Sequence, residues 1–178
     1  VCAALASLAG ADLYFVRIRL QRRRVYDKND RGGKTKYGII ESEARKYGYK
    51  GEMRDMPLDI ARDIYNKKYY HRNGLDTLKS DKIALSICDF VVKAGNWGAK
   101  KAQAALNELG FDLRVDGILG EKSLAALNEV DENKFLEKYH DLQRRYYKVI
   151  AANRPSQKVF LKGWLNRVDR KENYLKSL

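Results

Sequence analysis

Asp27, Asp30, Thr35 and Tyr37 fall within thirteen residues, 27–39, which read D-K-N-D-R-G-G-K-T-K-Y-G-I. Carboxylates can hold a proton or answer a developing charge, and a hydroxyl and an aromatic ring beside them can hold a substrate. The adjacent Gly32 and Gly33 permit backbone angles that side-chained residues avoid. Asp27, Asn29 and Asp30 favour turns that bond their own backbone. The stretch is therefore expected to be a tight polar loop, neither helix nor strand, of the kind that carries chemistry on a rigid scaffold. The two aspartates suit a purely turn-forming role equally well.

Other reactive residue types give less. Cys2 lies near the terminus and Cys88 within an apolar helical run, where it reads as an inert core residue. Two cysteines with no histidine at ligand spacing make no zinc site. His71 and His140 are isolated and read as surface or locally bonded side chains. Residues 112–120, D-L-R-V-D-G-I-L-G, form a second well-defined loop. The calcium-hand spacing with its closing Glu is absent, so Asp116-Gly117 is read as a turn at the start of a helix rather than a metal site. No metal and no cofactor are expected.

The 27–39 stretch resembles the glycoside hydrolase family 108 N-acetylmuramidases, the phage-type endolysins and secretion activators. Members begin with E-G-G-Y, then a short Asp-rich link, then G-G-x-T-x-Y-G-I. Gly32, Gly33, Thr35, Tyr37, Gly38 and Ile39 match the last part, and Asp27 and Asp30 match the link. Residues 61–70, A-R-D-I-Y-N-K-K-Y-Y, resemble the family's helix ending in Tyr-Trp, with Tyr70 in place of Trp. Residues 89–95, D-F-V-V-K-A-G, resemble its D-x-x-V-N-x-G segment, with Lys93 for Asn. Residues 115–128 are similar to the peptidoglycan-binding-type module behind the catalytic part, and 163–168, G-W-L-N-R-V, resemble the closing motif.

The departure is at the front. Counting back from Gly33 at family spacing puts the catalytic Glu on Gln21, and Arg22, Arg23 and Arg24 where G-G-Y belongs. Glutamine matches glutamate in shape but cannot donate a carboxyl proton. Two explanations stay open. One is divergence to a non-catalytic wall binder. The other is a first two dozen residues outside the native reading frame, since several arginine codons contain GG and a one-base slip turns Gly-Gly into Arg-Arg.

The resemblance implies hydrolysis of the β-1,4 bond between N-acetylmuramic acid and N-acetylglucosamine. It places Gln21 at the acid position and makes Asp27 and Asp30 candidate second carboxylates. Thr35 and Tyr37 would line the cleft, with Tyr70 and Asp89 supporting it. The partner implied is the glycan strand of peptidoglycan, met in the cell wall or periplasm or after phage release, by a monomer. A catalytically impaired muramidase-type protein is the first expectation, and a non-catalytic peptidoglycan binder the alternative.

Composition agrees with a globular chain: hydrophobic residues make up 44% and there are two prolines. The 36 basic and 23 acidic residues give a net charge of +13. Leaving out residues 1–24 still leaves 31 basic and 22 acidic residues, or +9, so the basic character belongs to the body. Such a field attracts polyanions. Twelve tyrosines beside these cations would permit stacking of single strands. No recognised nucleic-acid motif is present, and the cations are scattered along several helices, so no specific nucleic-acid partner is expected. Residues 1–11 are small and apolar like the end of a secretory signal, but lack a charged start and are too short to span a bilayer. No signal sequence is evident and no membrane insertion is expected.

The body reads as mainly α: a lysozyme-like helical fold with a helical C-terminal module. Pro57 suits a first helical position. Leu58, Ala61, Ile64, Tyr65 and Tyr69 recur at helical spacing up to Asn73-Gly74, and Ala84, Ile87, Cys88, Val91 and Val92 do so up to Gly95. Residues 97–109 and 120–130 make two further helices. Phe135, Tyr139, Leu142, Tyr146 and Val149 form the longest stripe, capped by Asp131, and a last helix runs through 161–168. Residues 13–20 alternate in a strand-like way. The expected organisation is an atypical segment 1–24, a catalytic-type region 25–95, a peptidoglycan-binding-type region 96–170 and a tail 171–178.

Overall fold

The computed structural model describes residues 35–178. The chain divides between His71 and Arg72 into two compact units. In the first, Thr35–Lys36 (β1) pairs antiparallel with Ile39–Ile40 (β2), Thr35 opposite Ile40 and Lys36 opposite Ile39. The two residues between them, Tyr37 and Gly38, have φ of 52° and 76°. Positive φ at both turn positions matches the twist of a tight hairpin. Gly38 takes that angle freely, whereas Tyr37 is the one non-glycine residue with positive φ among the described residues. The loop expected over 27–39 is therefore a hairpin from Thr35 onward, because the Tyr-Gly turn lets the residues on either side exchange backbone bonds. Residues 27–34, with Asp27 and Asp30, lie outside the described residues. So do Gln21 and the strand-like 13–20.

Helix α1, Glu41–Lys46, follows at once, with Glu41 and Glu43 in its first turn and Arg45 and Lys46 in its last. That order suits the helix dipole. Arg45 bonds Glu41 and the carbonyls of Tyr49 and Gly51, which ties down the loop that follows. Pro57 precedes helix α2, Leu58–Tyr65, as its capping residue, one place earlier than expected. The helix then widens into a π-helical turn, Asn66–Tyr70. Ile39, Ala44, Met53, Met56, Ala61 and Ile64 form the core of this unit, with Tyr37, Tyr47, Tyr49 and Tyr65 packed around it.

The second unit is all helix: α3 (Asp81–Ala94), α4 (Asn96–Glu108), α5 (Glu121–Glu129), α6 (Glu132–Asn153) and α7 (Leu161–Lys176). Ser80 caps α3 by accepting from the Ile83 N–H at 3.1 Å, and Asp131 caps α6 through the Lys134 N–H at 2.9 Å. Every residue of α3 from Ile83 to Val91 is buried, the mark of a helix covered all round. Gly98 lets α4 approach it: a Cβ there would sit 2.7 Å from the Val91 nitrogen. The Tyr139 hydroxyl on α6 donates to the Gly98 carbonyl at 3.0 Å, so three helices meet at this point.

The expected helices are present, with two differences. The stripe on α6 keeps Phe135, Tyr139 and Leu142 but continues through Tyr147 and Ala151, while Val149 is 57% exposed. Helix α6 packs on Pro155–Phe160 and α7, and Tyr147 meets the Trp164 ring of α7 at 5.3 Å. Helix α7 runs to Lys176, through residues read as tail, because Lys171 and Leu175 continue its inward face and are buried. The fold class is mainly α.

Candidate functional site

The hairpin presents two of the site residues expected from sequence. Thr35 is exposed and Tyr37 half-buried. The Tyr37 carbonyl accepts from the Tyr65 hydroxyl at 2.9 Å, and the Lys36 ammonium lies 5.3 Å from the Tyr37 ring centre while donating to the Arg54 carbonyl. A tyrosine at positive φ is costly and persists where its surroundings hold it. Here Tyr65 on α2 bonds the Tyr37 carbonyl, and Tyr37 packs against the core of the unit. Tyr70 is different. It is 9% exposed and meets the His71 ring edge-on at 5.9 Å, so it offers almost no free ring face.

Asp89 presents no surface at all. It is 0% exposed, one carboxylate oxygen accepts from the Arg167 guanidinium, and the other lies 3.6 Å from the Lys171 ammonium. Lys171 is also fully buried and donates to Gln143 Oε1 at 2.6 Å and to the Ser86 carbonyl at 3.2 Å. Burial pushes the Lys171 ammonium down to about 8, and the Asp89 carboxylate opposes that fall. A carboxylate so enclosed cannot grip a glycan. Its place in the fold is to clamp α3 to α7.

Beside this pair runs a second buried chain. Ser86 Oγ lies 2.7 Å from His140 Nε2, and His140 Nδ1 lies 3.1 Å from Glu172 Oε1. Glu172 also accepts from Arg144, which reaches Asp169 at 2.7 Å. Burial, then the nearby Lys171 charge, holds His140 down to about 4, so it is neutral at pH 7. A neutral ring fits the contacts: Nδ1–H donates to Glu172 and Nε2 accepts from Ser86. The order resembles a serine nucleophile relay, but Ser86 is 0% and His140 2% exposed, leaving no approach for a substrate carbonyl. A cavity of about 240 Å³ opens beside the relay, lined by Lys82, Asn133, Leu136, His140, Glu172 and Leu175 among others.

The loop at 112–120 is the helix-start turn expected. Asp116 Oδ1 accepts from Gln103 Nε2 and from the Ile118 N–H, both at 2.9 Å, while Gln103 Oε1 accepts from the Gly117 N–H at 2.9 Å. The Gln103 amide, then the Ile118 N–H, holds the Asp116 carboxyl below its usual range. Among the described residues, no His, Cys, Asp and Glu cluster forms a metal site.

Residues 23–95 match the family model described as "Glycosyl hydrolase 108", and residues 98–169 match that described as "Predicted Peptidoglycan domain". The chain carries a glycosyl hydrolase 108 module followed by a peptidoglycan module. Its function is accordingly peptidoglycan-related and of the muramidase type. The solved structure of Brucella abortus SagA is similar, with a TM-score of 0.74 at 23% identity, over 97% of this chain and 95% of that one. At that identity the likeness speaks for the fold, which is lysozyme-like and mainly α. Among curated protein sequences none matches.

Helix α3 falls inside the hydrolase-108 match yet packs in the second compact unit. The Asp89–Arg167 pair therefore joins the hydrolase-108 segment to the peptidoglycan module. Sequence reading passed over Arg167, Lys171, Ser86, Gln143 and Glu172. Their signal was present as polar residues at apolar spacing: Lys171 stands between Val168 and Leu175, and Gln143 between Tyr139 and Tyr147.

Proposed function

We propose that this chain binds the glycan strands of peptidoglycan as a muramidase-type protein directed at the β-1,4 MurNAc–GlcNAc bond, and that as written it hydrolyses that bond poorly. The order of the two modules carries the reading: a glycoside hydrolase segment followed at once by a peptidoglycan segment. The hydrolase-108 match begins at residue 23, beyond Gln21, which supports the absence of the family's leading motif. Glycoside hydrolysis needs a protonated carboxyl beside the leaving oxygen and usually a second carboxylate. Gln21 occupies the acid position and cannot donate, while Asp27 and Asp30 supply second carboxylates. Thr35 and Tyr37 line the cleft, and Tyr70 supports the wall behind them. The chain acts as a monomer at the cell wall, without cofactor. No helix among the described residues is long and apolar enough to cross a membrane.

The test is sedimentation with purified sacculi across a salt series, with Tyr37→Ala beside the parent. A purely electrostatic binder releases as salt rises, because screening shortens to roughly 3 Å at 1 M. The parent is expected to keep part of its binding at high salt and Tyr37→Ala to keep less. No sedimentation at low salt refutes wall binding. Identical release curves refute a role for the cleft.

A non-catalytic wall binder is the second reading. The +9 body charge favours it, since attraction to an anionic wall needs no hydrolysis.

A further inference from the structure

An aromatic row crosses the peptidoglycan module. Trp97 at the start of α4 lies 5.8 Å from Tyr146 on α6, Tyr146 5.6 Å from Tyr147, Tyr147 5.3 Å from Trp164 on α7, and Trp164 6.1 Å from Phe160. Tyr147 is buried beneath the row, Tyr146 and Trp164 are half-buried, and the two ends are open: Trp97 is 49% and Phe160 52% exposed. The neighbouring Val149 and Val159 are 57% and 76% exposed. Large apolar groups left in water on neighbouring parts of a surface mark an interaction site.

The segments that carry the row are cationic. Residues 142–168 contain Arg144, Arg145, Lys148, Arg154, Lys158, Lys162 and Arg167 and no carboxylate, and residues 90–107 contain Lys93, Lys100 and Lys101 and no carboxylate. Arg144, Arg145 and Arg167 are engaged by acids on α3, α6 and α7. Lys148, Arg154, Lys158 and Lys162 are exposed. The Lys100 and Lys101 ammonium groups stand 5.0 Å and 5.8 Å from the Trp97 ring centre.

We propose that this row is a glycan-binding surface of its own: Trp97 and Phe160 stack on sugar rings, and the surrounding lysines and Arg154 take the carboxylates of the peptides those sugars carry. The inference rests on the reading of the chain as a peptidoglycan protein and assigns that contact to named residues outside the hairpin. A pyranose presents a face of C–H bonds with partial positive charge, which the negative π face of an aromatic ring attracts. The carboxylates of stem peptides supply the negative charge that the cations match. A neutral polysaccharide would use only the rings, and a polyanion without sugar faces only the cations.

Intrinsic fluorescence reads this surface directly, because Trp97 and Trp164 are the only tryptophans in the chain. The full chain is titrated with soluble disaccharide-peptide oligomers cut from sacculi by an unrelated muramidase. Saturable change in tryptophan emission is expected. Trp97→Ala and Phe160→Ala should each weaken binding roughly tenfold, the size expected for loss of one stacking ring. Lys100→Gln with Lys101→Gln keeps the rings and should weaken binding to the peptide-bearing oligomers more than to the same oligomers stripped of peptide. Circular dichroism checks that each variant folds. Unmoved emission in a parent that still sediments with sacculi overturns this surface and leaves the broader reading standing. A parent that does not sediment overturns both. An equal emission change with a single-stranded oligonucleotide at the same salt overturns the glycan assignment in favour of nucleic acid. A dimer that Trp97→Ala dissolves, with no glycan response, overturns it in favour of a second copy of this chain.

Discussion

In the proposed reading, Gln21 stands at the general-acid position, where glutamine has no carboxyl proton to give. A general acid typically contributes about a hundred- to ten-thousand-fold, so the chain as written should clear wall suspensions far more slowly than an ordinary lysozyme. Gln21→Glu alone should recover little. Arg22, Arg23 and Arg24 would hold a new carboxyl ionised, the wrong state for a proton donor, and would resist the turn that a glycine pair allows. The four changes Gln21→Glu, Arg22→Gly, Arg23→Gly and Arg24→Tyr together should recover more, measured as muropeptide release. Full recovery by the single change would show that backbone and charge do not matter there. His140 offers a prediction of a different kind. Its folded pKa is about 4 and its unfolded value near 6.5. Between the two the unfolded chain binds more protons, so stability rises with pH across that window and is lost as pH falls through it. Glu172, held at about 2 mainly by its bond to His140 and also by Arg144, adds a further loss below about 4.3, the unfolded carboxyl value. Melting temperatures of the parent should fall between pH 6.5 and 4, and His140→Gln should lack that slope. Parallel curves for the two proteins would contradict the neutral, buried histidine.

At the scale of elements, the chain spends buried charge to hold helices together. Asp89 on α3 faces Arg167 and Lys171 on α7, all within the second unit. Removing one partner of a buried pair leaves charge uncompensated and costs about 3–5 kcal/mol. Asp89→Ala should therefore destabilise by about that much, read by urea unfolding, with two cations left facing each other. Lys171→Met removes one of those cations with an apolar chain of similar length and should be near neutral or stabilising. A large loss with Lys171→Met would mean that its bonds to Gln143 and Ser86 outweigh the cost of burying it. The helices themselves were legible in the sequence because their apolar residues recur at helical spacing and because Asp131 is of the right type to cap α6. The hairpin was not. A glycine-rich, aspartate-rich stretch reads as loop, and the strands are only two residues each, too short to show alternation. The charged clamp was hidden for another reason: pairing between positions 78 residues apart leaves no local pattern.

At the scale of the whole molecule, family resemblance was legible from separated short motifs in the right order, and the two module matches agree with it. The turn at Asp116 followed from local turn chemistry. The burial of Tyr70 and Asp89 did not, since a residue's exposure depends on which elements cover it. The aromatic row was likewise invisible as a unit, because Trp97, Tyr146, Phe160 and Trp164 come from separate elements. The central claim is that this is a peptidoglycan protein with binding retained and hydrolysis impaired. Incubation with purified sacculi tests it in one tube, by the fraction of protein in the pellet and the reducing sugar released to the supernatant. The account predicts that the chain as written sediments with the sacculi and releases little sugar beyond a protein-free control. A chain that stays in the supernatant at low salt, or that releases sugar at the rate of an ordinary lysozyme, would contradict it.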